Sequence, residues 1–182
     1  MVIIIILIII IVIVVAFLRG RTINTESDFK EYLASGIKHN DNKEYDLAIE
    51  DFTRAIQLNP NYSDAYYLRG AIYQSKEDWD RAIADQGEQI RLNPDYANNY
   101  SSRAWLYAQK GDYDHAIADY NEAIRLKPNE NEYFKRGDFY LKKGDYDLAI
   151  ADLEAALQIN PGHLGAVASL KKARKKLAAG QK

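Results

Sequence analysis

The sequence predicts an all-α chain: a solenoid of helical hairpins, built from four copies of one unit, closed by a capping helix and preceded by a transmembrane helix. Three observations predict it. Pro60, Pro94 and Pro128 are 34 residues apart, and Pro161 follows after 33. Between these prolines the same residue types recur in step: Tyr32, Tyr66, Tyr100 and Tyr133; Gly36, Gly70, Ala104 and Gly137; Ala48, Ala82, Ala116 and Ala149. Ahead of them, residues 2–18 are 17 consecutive Val, Ile, Leu, Ala or Phe. A period of 20 to 50 residues is the mark of stacked repeats.

The amino end comes first. Residues 2–18 carry neither charge nor hydroxyl. As a helix they are about 25 Å long at ~1.5 Å per residue, enough for a membrane span once the flanks are counted. A cleaved secretory signal would need basic residues before the apolar run, a shorter run and a small-x-small cleavage site. The run has no side-chain charge before it and ends Ala16-Phe17-Leu18-Arg19, so the reading is an uncleaved anchor, residues 1–18. Arg19 and Arg21 follow the span, and the positive-inside bias places the repeats in the cytoplasm. The inverse topology, a periplasmic or lumenal scaffold, is the alternative. Residues 19–28 form a linker that reaches at most ~35 Å, which keeps the domain near the bilayer. Asp28 with Glu31 resembles a capping box and is expected to start the first repeat helix.

The repeats are taken as residues 29–62, 63–96, 97–129 and 130–161. Each reads as two amphipathic helices. Tyr100, Ala104 and Tyr107 put bulky, small and bulky residues on one helical face. Gly111 is expected to end that helix in the left-handed conformation and Asp112 to cap the next, and Gly144 and Asp145 repeat the pattern. The second helix turns Ala116, Tyr120 and Ala123 inward and stops before Pro128. Unit one departs at Lys43 and Glu44, which replace the glycine and aspartate of that turn, and at His39, read as a packing residue where other copies have tyrosine. Unit two departs further. Gln86 stands where Phe52, Tyr120 and Leu153 stand, Gln89 replaces Ala55, Ala123 and Ala156, and Gly87 lies inside the helix. These changes read either as tolerated drift or as a sign that something contacts the helix.

Residues 162–182 supply the closing helix, with Leu164, Val167, Leu170, Ala173 and Leu177 expected on its covering side. Its other side holds Lys171, Lys172, Arg174, Lys175 and Lys176, either a solvated face favoured by the helix dipole or a site for an anionic partner or lipid. The formal net charge of −2 hides an asymmetry. Eight cations lie in residues 1–21 and 161–182 with no acid among them, which leaves residues 22–170 at −10. An acidic array is a poor nucleic-acid surface.

At these spacings the units resemble the tetratricopeptide repeat, whose tyrosine, glycine, tyrosine, alanine, aromatic, alanine and proline fall where this chain has them across residues 29–161. The resemblance implies a scaffold for protein partners, with the first helix of each unit lining a concave groove that holds an extended peptide or a helix. Carried onto this chain, the groove residues are Leu33, Ile37, Tyr67, Ala71, Gln74, Ser101, Trp105, Gln109, Phe134, Asp138 and Leu141. The aromatics Tyr67, Trp105 and Phe134 either anchor a partner or pack between units. The versions of this family that hold the carboxyl-terminal tail of heat-shock chaperones use a clamp of lysine, asparagine and arginine. The matching positions here are Leu33, Ile37, Leu68, Asn98 and Ser102, so that clamp is absent.

Nothing in the sequence points to catalysis, a cofactor, a metal or a small-molecule substrate. Zero cysteine excludes thiolate chemistry, and His39, His115 and His163 have no ligand spacing. The row Asp51, Asp85, Asp119 and Asp152 reads as solvated or capping carboxylates, and Arg69, Arg103 and Arg136 as pairing with acids of the neighbouring helix, the alternative being that they reach toward a ligand. The expectation is a membrane-anchored adaptor or assembly factor, or alternatively a permanent accessory subunit of a membrane complex. The span has no polar residue and no small-xxx-small pattern to favour specific helix packing.

Overall fold

A computed structural model describes residues 25–180. Among them are nine helices and no strand. The apolar run 2–18 and its flanking Arg19 and Arg21 lie outside the described residues, within which no helix is long and apolar enough to cross a membrane. The chain divides into two compact units at Pro60.

The first unit is one hairpin, α1 (Thr25–Asp41) and α2 (Tyr45–Leu58). The chain is already helical at Thr25, so Asp28 and Glu31 lie inside α1 instead of starting it. Glu26 and Asp28 favour that earlier turn by complementing the helix dipole, and Glu26 accepts a 2.7 Å bond from Lys30. α2 buries Ala48, Phe52 and Ala55 completely. The Phe52 ring lies against Gly36, where a Cβ would come within 2.7 Å of it, so a glycine lets the helices close. Lys43 takes the left-handed turn conformation (φ 63°) that the sequence assigns to glycine elsewhere.

The second unit holds three hairpins and a final helix: α3 (Ser63–Ser75) with α4 (Trp79–Leu92), α5 (Ala97–Gln109) with α6 (Tyr113–Leu126), α7 (Glu130–Lys143) with α8 (Tyr146–Ile159), then α9 (Leu164–Ala178). Gly111 (φ 81°) and Gly144 (φ 91°) turn as expected, and Glu77 (φ 56°) does the same without being glycine. Asp112 accepts from the His115 backbone N–H at 3.2 Å, whereas Asp145 occupies the same cap position without that bond. α4, α6 and α8 each end two residues before a proline.

The inward rows hold. Ala116, Tyr120, Ala123, Ala149, Leu153 and Ala156 have no exposed surface. Phe139 of α7 stacks on Tyr120 of α6 with ring centroids 5.8 Å apart, joining adjacent hairpins. The Tyr120 hydroxyl has no hydrogen-bond partner among the described residues.

Two expectations need correction. α9 turns Leu170 and Ala173 of the expected row inward together with Ala166, but not the rest of it; Leu164 is 83% exposed and Val167 and Leu177 are also exposed. The buried trio lies 33 residues after Tyr133, Gly137 and Tyr140, so α9 packs as the first helix of a further unit would. The aspartate row is neither solvated nor capping. Asp85, Asp119 and Asp152 are buried, and each receives two bonds from one guanidinium. Arg69 donates through Nε and Nη2 at 3.0 and 2.6 Å, Arg103 at 2.8 and 2.7 Å, and Arg136 at 2.7 and 2.6 Å. Buried carboxylates need such partners, and the two-pronged guanidinium supplies them. In the first unit Ser35 stands at the arginine position, and His39 meets Asp51 instead, Nδ1 to Oδ2 at 2.8 Å.

Candidate partner-binding surface

In the second unit the first helix of each hairpin spends its Tyr, small-residue and Tyr positions on packing, which leaves the intervening residues for another surface, whereas Tyr32 of α1 is exposed. In the first unit, Leu33 is half-buried and Ile37 is 42% exposed. In the second unit the expected residues divide. Tyr67 is 60% exposed, the most exposed of its aromatic side chains, and Ala71, Gln74 and Gln109 are exposed with it. Ser101 donates to Glu132 at 2.8 Å, a link from α5 to α7. Trp105 meets Trp79 of α4 edge-on, centroids 6.0 Å apart and planes at 81°, which holds its indole half-buried and fixed in orientation.

The carboxyl-terminal members of the set are committed to packing. Phe134 lies 4.6 Å from the His163 ring and over Gly165, where a Cβ would approach it to 2.9 Å. Leu141, expected to line the groove, is instead buried among Leu153, Ala156, Ala166 and Leu170 because α9 covers it. Asp138 accepts from Ser169 at 3.2 Å and pairs with Lys142 at 3.4 Å. On α9, Lys171, Lys172 and Lys175 are exposed, Lys176 is half-buried, and Arg174 donates to Glu154 at 2.7 Å.

Two clefts of the second unit adjoin these residues. One, of about 410 Å³, is bordered by Gln74, Ser101, Trp105, Glu132 and Lys135. The other, of about 660 Å³, lies among α3, α4 and α5 and is lined by Ser63, Tyr67, Gln86, Gln89, Asn93 and Asn99. Asn98 and Ser102 border both. The residues that the resemblance did not carry over are Gln86, Gln89 and Asn99, all buried at the floor of the larger cleft. Their signal was on view as departures from the core rows, but their convergence with Asn99 required the fold.

Electrostatics behind this surface come from the paired row. Burial pushes the Asp85 carboxyl up, and this outweighs the bonds from Arg69 that pull it down. Arg103 is held above its ordinary range, chiefly by its bonds to Asp119 against the opposing effect of burial. The arginines are therefore occupied in joining the two helices of a hairpin. The charge bordering the smaller cleft comes from Glu132 and Lys135 of α7, both half-buried.

Tetratricopeptide repeat family models match residues 38–77, 63–96, 97–130 and 131–163 in succession. Among solved structures, the chain is similar to MamA protein, at 23% identity over 86% of this chain and 85% of that one, with a TM-score of 0.73. It is similar to YrrB, described as a TPR protein with an unusual peptide-binding site, at 18% identity over 83% and 77%, TM-score 0.67. It is also similar to the TPR2B domain of yeast Sti1 in its pHsp70 complex, at 29% identity over 63% and 97%, TM-score 0.56. No curated protein matches the chain.

Proposed function

Because the chain belongs to the tetratricopeptide repeat family, we propose that it is a scaffold that holds a segment of a partner protein on the face formed by α3, α5 and α7. The observation that carries this is the exposure of Tyr67 in the larger of two adjoining clefts, with Trp105, set edge-on to Trp79, at the border of the smaller. A large aromatic that packing does not use buries much area on contact at little rotamer cost, which is why such residues dominate interface energies. The Sti1 domain supports a partner of this class, since its structure is of a complex. The chaperone-tail clamp is not reproduced here, as Leu68, Asn98 and Ser102 occupy three of its positions, so the partner differs in chemistry from an acidic tail.

Residues 2–18 anchor this scaffold in a membrane, with the repeats on the cytoplasmic side, where Arg19 and Arg21 would hold them. In that setting the protein serves as an adaptor in assembling a membrane complex. Affinity capture of the full-length protein from gently solubilised membranes tests the reading. Trp105→Ala with Tyr67→Ala is expected to lose at least 90% of the main captured partner. Capture that survives this pair but disappears when residues 1–18 are exchanged for an unrelated span would make the protein an integral subunit instead.

A further inference from the structure

In three of the four hairpins the second helix seals the core with a bulky apolar side chain followed by alanine: Phe52 and Ala55, Tyr120 and Ala123, Leu153 and Ala156, all without exposed surface. In α4 the same two positions are Gln86 and Gln89, still buried at 8% and 6% exposure. Of the four buried residues of α4 only Ala82 is apolar. A buried carboxamide that loses its water needs protein partners in return, and one that keeps unpaired atoms must keep them in reach of solvent or a ligand. Here the protein partners are few. The two glutamines make one side-chain bond, to each other, from Gln89 Nε2 to Gln86 Oε1 at a long 3.4 Å. Asn99, also buried, donates its Nδ2 to the Gln89 backbone carbonyl at 3.3 Å. That leaves amide donors on Gln86 and amide acceptors on Gln89 and Asn99 without a protein partner and open to the solvent of the 660 Å³ cleft, since the Tyr120 hydroxyl is the one fully buried side-chain polar atom without a partner among the described residues.

We propose that this cleft is a carboxamide-recognition site, in which an asparagine or glutamine side chain on an extended, uncharged segment of the partner protein is read by Gln86, Gln89 and Asn99. The proposal rests on the scaffold reading above and specifies what that scaffold prefers. The chemistry selects the ligand class. An anion wants donors alone and a cation wants acceptors alone, whereas paired amides offer one of each and match a group that also offers both. That holds also if the two glutamine amides are turned together, since their mutual bond then reverses and still leaves one donor and one acceptor side. The single charged side chain lining this cleft, Asp64, is exposed and disfavours an anion. Tyr67 beside it supplies a flat face for the planar amide and its adjoining main chain, and Asn98 and Ser102 continue the track into the cleft that borders Trp105. A side chain enters the larger cleft while the segment runs on toward Trp105.

The test is fluorescence anisotropy on the full chain with three fluorescein-labelled nonapeptides, alternating glycine with asparagine, with aspartate or with leucine. The asparagine peptide is expected to bind at least tenfold more tightly than the other two. Gln86→Leu with Gln89→Ala, which installs the residues found at Leu153 and Ala156, is expected to erase that preference while raising Tm. Gln86→Met, close to glutamine in size, is a second variant should the double change disturb folding, and is expected to weaken asparagine-peptide binding at least fivefold. Equal affinity for the three peptides, no measurable binding of the asparagine peptide, or an unchanged preference in these variants would overturn the site. In the capture experiment, a partner lost with Trp105→Ala but kept by Gln86→Leu with Gln89→Ala refutes the carboxamide site and leaves the scaffold standing. A partner that neither change affects refutes both.

Discussion

At the scale of single residues, the tightest constraint is conformational. The turn between the two helices of each hairpin needs one residue at positive φ, supplied by Gly111 and Gly144 in two hairpins and by Lys43 and Glu77 in the others. A side chain in the left-handed region costs about 1 kcal/mol relative to glycine. Lys43→Gly and Glu77→Gly are therefore each expected to stabilise by roughly 0.5–1 kcal/mol, since part of the gain is returned through the greater freedom of the unfolded chain. Urea denaturation read by circular dichroism checks this, and a loss of stability in either variant would show that the side chain makes a compensating contact. The turn position itself was legible from the repeat, because Lys43 and Glu77 fall in register with Gly111. The penalty was not, since a non-glycine residue there is equally compatible with a remodelled turn.

At the scale of helices, the three hairpins of the second unit are held by alternating alanines and by one guanidinium–carboxylate fork each. The alanines let backbones approach, and the fork satisfies a carboxylate that the approach has buried. Removing one partner should thus cost far more than removing both. Arg103→Leu leaves Asp119 buried without its two bonds, and about 3 kcal/mol of destabilisation is expected. Arg103→Leu combined with Asp119→Leu is expected to cost less than half of that, as measured by a double-mutant cycle in denaturant. Equal costs for the single and double changes would mean that the fork is solvated in solution. The sequence had the arginines paired with acids of the neighbouring helix but read the acids as solvated or capping groups. Repetition shows that a carboxylate sits at the same station in each hairpin without showing how deep that station lies. Only the close approach of α5 to α6, at the level of Ala104 and Ala116, puts Asp119 out of water.

At the scale of the whole molecule, each hairpin of the second unit needs a neighbour to cover its apolar face, and α9 ends the series by covering α7 and α8. Deleting residues 163–182 uncovers Leu141, Leu153 and Ala156. Hydrogen exchange is expected to show the amides of α7 and α8 losing at least tenfold in protection while those of α3 and α4 keep theirs. Uniform loss across the second unit would make it a single cooperative block instead. The sequence by itself determined the number of hairpins, the turns between their helices, and the alanines and large residues that the second helices turn inward in three of the four, because a repeat can bury its faces in only one register. It also exposed Gln86 and Gln89 as departures. The tertiary structure alone decided what lies beside them: that Leu141 and Phe134 are spent on α9, that Tyr67 is free, and that the glutamines meet Asn99 at the floor of a cleft. The physical reason is that periodicity reports which side of its own helix a residue occupies, whereas burial and hydrogen bonding depend on what a different helix brings against that side.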